Sequence, residues 1–504
     1  MSRQDPAESA TMNAPAIEKV IIVGGGISGW TAAVAIGQAF AEQKLQLTLL
    51  DTGAAETEAL ATHPQSLAFL SNLGLNEIEL VKKARATFRL GTLFDSWSHP
   101  RHQYLQPFGS HGGPLGHVSF QHFAIKRRLL GDSGAFEDYS LGAVAARAGK
   151  FRHPESNPQS IFSTLAYAHH IGRQDLEQLL AERAQQLGVK VVRGAVEDVA
   201  LDADSGFIAS VLLDSGERLA GELFIDCSGP QATLIGQALG QGLDDWSKWF
   251  ATDRVIRCSA PQAVPREPYT RVTGHERGWL RQVPLQNEVQ AEFHFSSQDL
   301  NEDQASEALA KALQDQAPAE FETSGVTHGL RDQPWFRNCV AFGEAAGRVE
   351  PMDMSNLALV FNAVQRFLSL FPDRGCSPLL ARRFNQFTRW EYENLRDLSL
   401  LRFQAVERND AALWSQWRNQ PLPDSLRRKM SLFQSNGQIA YREQEVFFEP
   451  YQAAAFIGLE KWPDSYDPFL DAFDFGELTQ RFDGMKRMIQ ETVAQMPSHH
   501  ALFG

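Results

Sequence analysis

Val20-Ile21-Ile22-Val23 runs directly into Gly24-Gly25-Gly26-Ile27-Ser28-Gly29-Trp30, and an alanine-rich stretch follows. A β-branched strand, a glycine turn and a helix in immediate succession form the opening unit of a parallel α/β sheet, which restricts the fold more than any other local pattern in the chain. The G-x-G-x-x-G spacing gives each glycine a task. Gly24 permits the tight strand-to-helix turn, Gly26 lets backbone approach a diphosphate, and Gly29 lets helix and strand pack closely. The expected ligand is a dinucleotide with its pyrophosphate at the helix N-terminus. Leu45 to Leu50 reads as the next strand and ends in Asp51, where an acidic residue is suited to hold a ribose hydroxyl.

Further elements extend this unit. A helix is predicted from Gly172 through Gln186, followed by a strand at Val189-Lys190-Val191-Val192. Ile208 to Leu213 and Glu217 to Leu219 flank the turn Asp214-Ser215-Gly216, and Leu223 to Gly229 reads as a buried strand entering a glycine turn. Between Gln262 and Phe295, short strands alternate with Pro and Gly, which predicts a separate sheet roofing a substrate cavity and then a helix near Asp303 to Gln314. Asn338 to Gly347 repeats the strand delivered to a helix-opening glycine turn, here beside Glu344. From Leu379 onward the pattern is helical, most clearly at Arg389 to Phe403 and Pro423 to Phe433. The expected partition is a loose tail at 1–15, a discontinuous nucleotide-binding domain at 16–260 and 330–375, a sheet segment at 261–329 and a helical domain at 376–504.

Charge and cysteine usage narrow the partners. The 61 acidic residues outnumber the 47 basic ones for a formal charge of -14, which argues against nucleic acid or an anionic membrane. Cys227, Cys258, Cys339 and Cys376 are widely spaced with no CxxC, so neither a disulfide framework nor a zinc knuckle is expected, and a reducing cytoplasm fits. His99 and His102 in a loop, and His169-His170 at the start of a helix, lack convergent ligand spacing, so no metal is expected. Glycines, Ser28, Thr31 and Gln38 interrupt the apolar run from Val20 to Phe40, which therefore reads as strand, turn and helix rather than a membrane span. Trp390, Trp414 and Trp417 on helices read as core.

Several longer segments carry a resemblance: GGGISGW at Gly24, Thr62-His63-Pro64, ATFRLGTLFDSW from Ala86 to Trp97, YSLGAVAARAGKF from Tyr139 to Phe151, NCVAFGEAAGRVEPMD from Asn338 to Asp353, and PDSLRRKMSLF, FFEPYQ and SYDPFLDAF toward the C-terminus. Together they resemble the flavin-dependent tryptophan halogenases over nearly the whole chain. GSHGG near Gly109 looks like the subgroup whose native substrate is often unclear, which argues against assuming free tryptophan. The resemblance implies a glutathione-reductase-like FAD-binding fold, an α/β class with a parallel sheet and β-meander, plus a β-sheet substrate roof and a C-terminal helical domain. It implies FAD, used as FADH2 with O2 and with chloride or bromide, contacted by Gly24, Gly26, Ile27, Ser28, Gly29, Trp30, Asp51, Thr62, Gly343, Glu344, Gly347 and Leu357. Glu344 replaces the aspartate common in flavoprotein Gly-Asp turns and still reaches a ribityl hydroxyl.

Four departures fall on the segments that carry the family's reaction. In the family a lysine positions or carries hypohalous acid beside an aromatic ring; the matching residue here is Arg89, a guanidinium able to hydrogen-bond the oxidant or to serve as an ordinary ion-pair residue, but not to form a haloamine. The strap Glu-Pro-Leu-Glu-Ser-Thr-Gly becomes Glu350-Pro351-Met352-Asp353-Met354-Ser355-Asn356, so the second carboxylate is Asp353, one methylene shorter. Ser355 and Asn356 fall on the halide-binding positions, with a glycine lost at Asn356. WxWxIP becomes a segment with Trp279 and Arg281, where the cation opens the aromatic wall, binds an anionic group or pairs with a neighbouring acid. Glu449, Tyr451 and Gln452 match the region where relatives contact substrate.

The implied activity is that of an FADH2-dependent oxidoreductase acting on an indole-like or other electron-rich aromatic, supplied by a separate flavin reductase, with homodimerisation a family-level expectation. Two alternatives stand beside it: a flavin monooxygenase without halide dependence, and a noncatalytic protein that binds flavin or an aromatic ligand.

Overall fold

The computed structural model describes residues 15–53, 60–132, 134–261, 267–313, 320–441 and 445–503, so the expected tail lies outside the described residues apart from Pro15. The β-branched run forms the strand Lys19–Val23 at the centre of a six-stranded sheet, between Leu223–Asp226 and Gln46–Asp51, both parallel to it. Lys190–Arg193 extends one side, Cys339–Ala341 the other, and Trp335–Phe336 closes that edge antiparallel. A three-stranded antiparallel meander, Val196–Leu201, Ile208–Leu213 and Arg218–Ala220, packs its apolar face against this sheet through Ile208, Val211 and Phe224. The helices Ile27–Ala39, Arg173–Gln186 and Leu357–Ser369 bury an aliphatic layer on the opposite face with Ile22, Val34, Leu180 and Val364.

The glycine turn has the geometry its spacing predicts. Gly24 has φ +115°, and a side chain there would run into the Cys227 carbonyl. A Cβ at Gly29 would lie 1.8 Å from the Gly24 carbonyl, so only glycine lets the helix close onto the strand.

The second large sheet has seven strands in the order Glu322–Gly325, Arg254–Pro261, Glu288–Phe295, Gly278–Pro284, Thr270–His275, Gly91–Asp95 and Gln103–Pro107. Its antiparallel register sets Arg281 opposite Glu292 and Trp279 opposite His294. As directly opposed residues of neighbouring antiparallel strands, the two members of each pair meet side by side. The C-terminal region is helical. Ser377 caps the long helix Pro378–Gln404 by accepting from the Leu379 amide, and Pro378 occupies its first turn. The last half of that helix is buried and passes the segment that holds Asp353.

Two local expectations are corrected. His169 and His170 lie in the strand Ala168–Ile171, and the helix begins only at Arg173 beyond Gly172. Gly343 opens a short 3-10 turn, Gly343–Ala345, rather than an α-helix; a strand Gly347–Arg348 intervenes, and the helix starts at Leu357.

Candidate active site

The helix Ile27–Ala39 begins at Gly26 with no side chain capping it, so its first-turn amides are left to an external acceptor. A Cβ built on Gly26 would meet nothing within 4 Å, which marks open space in front of these amides. That space belongs to a cavity lined by Gly26, Ile27, Ser28, Gly343, Glu344 and Leu357, and Ser355 and Asn356 also reach it. Arg173, Arg348 and Gly229 line it as well, and sequence reasoning missed all three. Arg173 also borders a larger cavity of about 600 Å³, so the two spaces share a wall. Glu344 pairs with Arg348; burial would raise its carboxyl, but that guanidinium holds it below the usual carboxylate range. Asp51 ends its strand and accepts from the Gly53 amide at 3.0 Å. Open amides at a helix start, a glycine cradle and a neighbouring acidic strand end fit an extended dinucleotide such as FAD. Trp30 is buried within its helix and Gly347 sits against the Gly329 backbone, so both shape the frame of this region.

Arg89 and Asp353 come together although 264 residues separate them. Arg89, on the strand Thr87–Arg89, is fully buried and donates to the Asp353 carbonyl, to the Thr62 carbonyl at 2.6 Å, to Thr270 Oγ1 at 2.8 Å and to Thr92 Oγ1 at 2.7 Å. All four acceptors are neutral, so Arg89 is not an ordinary ion-pair residue. Thr62, expected beside the cofactor, gives its backbone carbonyl to Arg89. Burial draws the Arg89 guanidinium down from 12.5 to about 9, with Tyr451 and Asp353 opposing the fall and Arg281 adding to it. Its charge therefore persists at neutral pH, over the Phe108 ring at 4.8 Å.

The Asp353 carboxylate has its own cation. Arg402 Nη2 and the Tyr451 hydroxyl each donate to Oδ1 at 2.6 Å. Among the described residues no hydrogen bond falls on Oδ2. Burial pushes the Tyr451 phenol well above its usual range, and the adjoining Asp353 charge pushes it further. Tyr451 stacks on Phe447 at 4.2 Å, and His63 sets its edge against Phe108 and Phe447, so aromatic rings surround the pair. Arg402, Phe108 and His63 were not anticipated. Arg402 left one trace in the sequence, a lone charge between Leu400-Leu401 and Phe403. Glu449 is turned elsewhere: its carboxylate accepts from Ser119 Oγ at 2.8 Å and Gln121 Nε2 at 2.7 Å.

Arg281 bridges the two regions. Its Nη1 donates to Glu292 at 2.9 Å and its Nη2 to Ser355 Oγ at 2.8 Å, both buried. Of the three readings offered by the sequence, pairing with an acid is the arrangement present. Burial alone would raise the Glu292 carboxyl, but Arg281 and the neighbouring His294 and Arg257 hold it well below its usual range. Trp279 stacks on His294 at 3.9 Å, and His294 lies 3.5 Å from Glu350, which also pairs with His328. Ser355 docks on the strand Leu60–Ala61, donating its amide to the Ala61 carbonyl at 2.9 Å and accepting the Ala61 amide on Oγ at 2.9 Å. The Asn356 side chain closes on Val349, accepting from its amide at 3.1 Å and donating to its carbonyl at 3.0 Å.

A parallel nucleotide-binding sheet with a β-meander, an uncapped glycine-turn helix and a second sheet packed over it define an FAD-type α/β oxidoreductase architecture. The family model for tryptophan halogenase matches residues 19–475, and the chain belongs to that family of flavin-dependent enzymes. A flavin-dependent halogenase from Brevundimonas sp. BAL3, BrvH, superposes with a TM-score of 0.92 at 33% identity over 96% of this chain and 98% of that one. Xcc4156, a flavin-dependent halogenase from Xanthomonas campestris, gives 0.92 at 31% identity over 97% and 98%. The tryptophan 6-halogenase SttH of Streptomyces toxytricini is 27% identical across 82% of this chain and 83% of its own length. Among the described residues no helix is long and apolar enough to cross a membrane.

Proposed function

We propose that this chain is an FADH2-dependent oxidoreductase that acts on an indole-like or other electron-rich aromatic and receives reduced flavin from a separate reductase. The observation that carries the reading is the joining of Arg89 to the Asp353 backbone inside a shell of Phe108, Phe447, Tyr451 and His63. Reduced FAD supplies the electrons that activate dioxygen. When FAD binds, the open amides beyond Gly26 would hold its pyrophosphate and Asp51 its ribose, and the strand bearing Trp279 and Arg281 would stand between it and the aromatic shell. Arg89 keeps its charge and holds an electrophilic oxygen species by hydrogen bonding, since a guanidinium is a poor nucleophile. Asp353, fixed through Oδ1 by Arg402 and Tyr451, has Oδ2 to take the proton that a substituted ring loses.

A second reading, direct oxygenation without halide, is favoured by a specific feature. Arg281 occupies Ser355 Oγ and the Asn356 amide is closed on Val349, so both groups at the expected halide position already have partners. The deciding experiment supplies reduced FAD and oxygen to the enzyme with a panel of indoles and phenols, with and without bromide, and identifies products by mass. Brominated product supports halogenation, oxygenated product formed equally without bromide supports the second reading, and flavin oxidation untouched by any substrate defeats both in favour of a noncatalytic binding protein.

A further inference from the structure

Tyr104 borders two spaces. Its ring stacks on Phe94 at 4.8 Å, and its hydroxyl faces Arg402 in the Asp353 cluster. It also lines a separate cavity of about 190 Å³ together with His111, Arg128, Phe136 and Trp462. None of these four residues takes part in the site described above.

The GSHGG segment builds the inner wall. Gly112 has φ +54° and donates its amide to the Tyr139 carbonyl at 2.8 Å, a turn that lays His111 flat on Phe136 at 4.3 Å and 13°. His111 is 6% exposed, and its Nδ1 has no hydrogen-bond partner among the described residues. Burial lowers the imidazole to about 3, so at neutral pH it is uncharged and able to donate or accept. Leaving such a nitrogen unsatisfied is costly, which points to a ligand partner.

The outer wall carries the charge. Lys126, Arg127 and Arg128 end one helix, Phe120–Leu129; Lys126 pairs with Asp471 and Arg127 with Asp483, each at 2.7 Å. Arg128 has no carboxylate partner among the described residues and stands over the Trp462 ring at 5.4 Å. Of the two acids on the lining, Glu137 accepts from Arg147 Nε at 2.6 Å and the Leu105 amide at 2.7 Å, and Glu460 lies 3.8 Å from His99 Nε2. The cavity therefore sets Arg128 and the His111 imidazole beside the rings of Tyr104, Phe136 and Trp462, with His102 and the carboxylates of Glu137 and Glu460 also on its lining.

We propose that this cavity binds a small planar aromatic carboxylate, with its ring among Tyr104, Phe136 and Trp462, its carboxylate on Arg128 and a hydrogen bond from His111. Charge-assisted bonding to a guanidinium and stacking on aromatic faces are the recognition terms the walls supply. The volume lies below the roughly 300–1,000 Å³ of drug-sized sites and suits a ring of one or two cycles. Because Tyr104 is shared, a ligand here sits one side chain away from the Arg402–Asp353 pair.

Calorimetric titration of the FAD-loaded full chain with indole-3-acetate, and with indole as the uncharged control, tests this without turnover and so independently of the reaction proposed above. The expected result is saturable indole-3-acetate binding that Arg128→Gln weakens about tenfold or more while changing indole binding by less than about twofold. Arg128 is exposed, and an unchanged melting temperature confirms that the variant is folded. His111→Phe, which keeps the stack on Phe136, is expected to weaken indole-3-acetate by roughly threefold or more. Absence of binding at millimolar ligand, or binding that survives Arg128→Gln and is lost in Arg89→Gln, overturns the proposal; the latter outcome puts the ligand in the Asp353 site.

Discussion

Arg402 and Asp353 form a buried ion pair at 2.6 Å, contributed by the C-terminal long helix and the strap after Glu350. Burial would lower the Arg402 guanidinium, but the Asp353 charge raises it above its usual range. Breaking one partner leaves a buried charge uncompensated. Arg402→Leu is expected to destabilise the protein by about 3–5 kcal/mol in denaturant unfolding, and Arg402→Leu combined with Asp353→Asn to recover a substantial part of that loss. Additive losses in the double variant would show that the two side chains do not depend on each other.

Arg89→Lys separates the chemistry of the site from its architecture. Lysine offers three donors in place of a planar fork, so at least one of Thr62, Thr92, Thr270 and the Asp353 carbonyl loses its bond. A loss of about 1–3 kcal/mol in stability is expected. With bromide, reduced FAD and oxygen, the variant is expected to yield more brominated product than the parent, because an amine can carry the halogen that a guanidinium only holds. Equal bromination by parent and variant would shift attention from Arg89 to Ser355 and Asn356.

The acid limb of stability is expected to depend on His63. Burial, with Arg89 adding to it, lowers this imidazole from 6.5 to about 3. The unfolded chain thus takes up a proton below about 6.5 that the folded protein refuses until about 3. Stability is complete above the unfolded value and lost as pH falls through that window, by about 3 kcal/mol between pH 7 and pH 4. His63→Phe keeps an aromatic edge against Phe108 and Phe447 and is expected to flatten this limb, as read from unfolding midpoints across pH. A parallel shift of the whole curve, with its slope intact, would assign the acid sensitivity to other buried histidines such as His111 and His170.

What the sequence made legible was what local physics dictates or family likeness carries. Val20 to Gly29 announced its strand, turn and helix because the β-branched run and the glycine spacing are local. Arg89, Asp353 and Arg281 could be singled out because they interrupt matching segments. The contacts they make could not, since Arg402 and Tyr451, the latter marked only as a substrate candidate, reach Asp353 from 49 and 98 residues away and nothing local records such a contact. Glu292 and His294 lie within the same antiparallel sheet as Arg281 and Trp279, yet the pairing depends on register across a hairpin that alternation alone does not fix. His169 and His170 were misplaced because Gly172 and the helix pattern beyond it masked a four-residue strand before it.

Gly26 distinguishes a glycine needed by the fold from one needed by a ligand. At Gly29 an added Cβ would strike the Gly24 carbonyl at 1.8 Å, so Gly29→Ala is expected to disrupt the sheet and helix together. At Gly26 nothing lies within 4 Å, and the residue has an ordinary extended conformation with φ -77° and ψ -174°. Gly26→Ala is therefore expected to leave the melting temperature of the flavin-free protein unchanged within roughly 2 °C. The methyl group would stand where the diphosphate must approach the first-turn amides, so FAD affinity is expected to fall about a hundredfold or more, read from quenching of flavin fluorescence. Retained affinity in a folded Gly26→Ala protein would remove the pyrophosphate from this turn and, with it, the placement of the cofactor on which the proposed reaction depends.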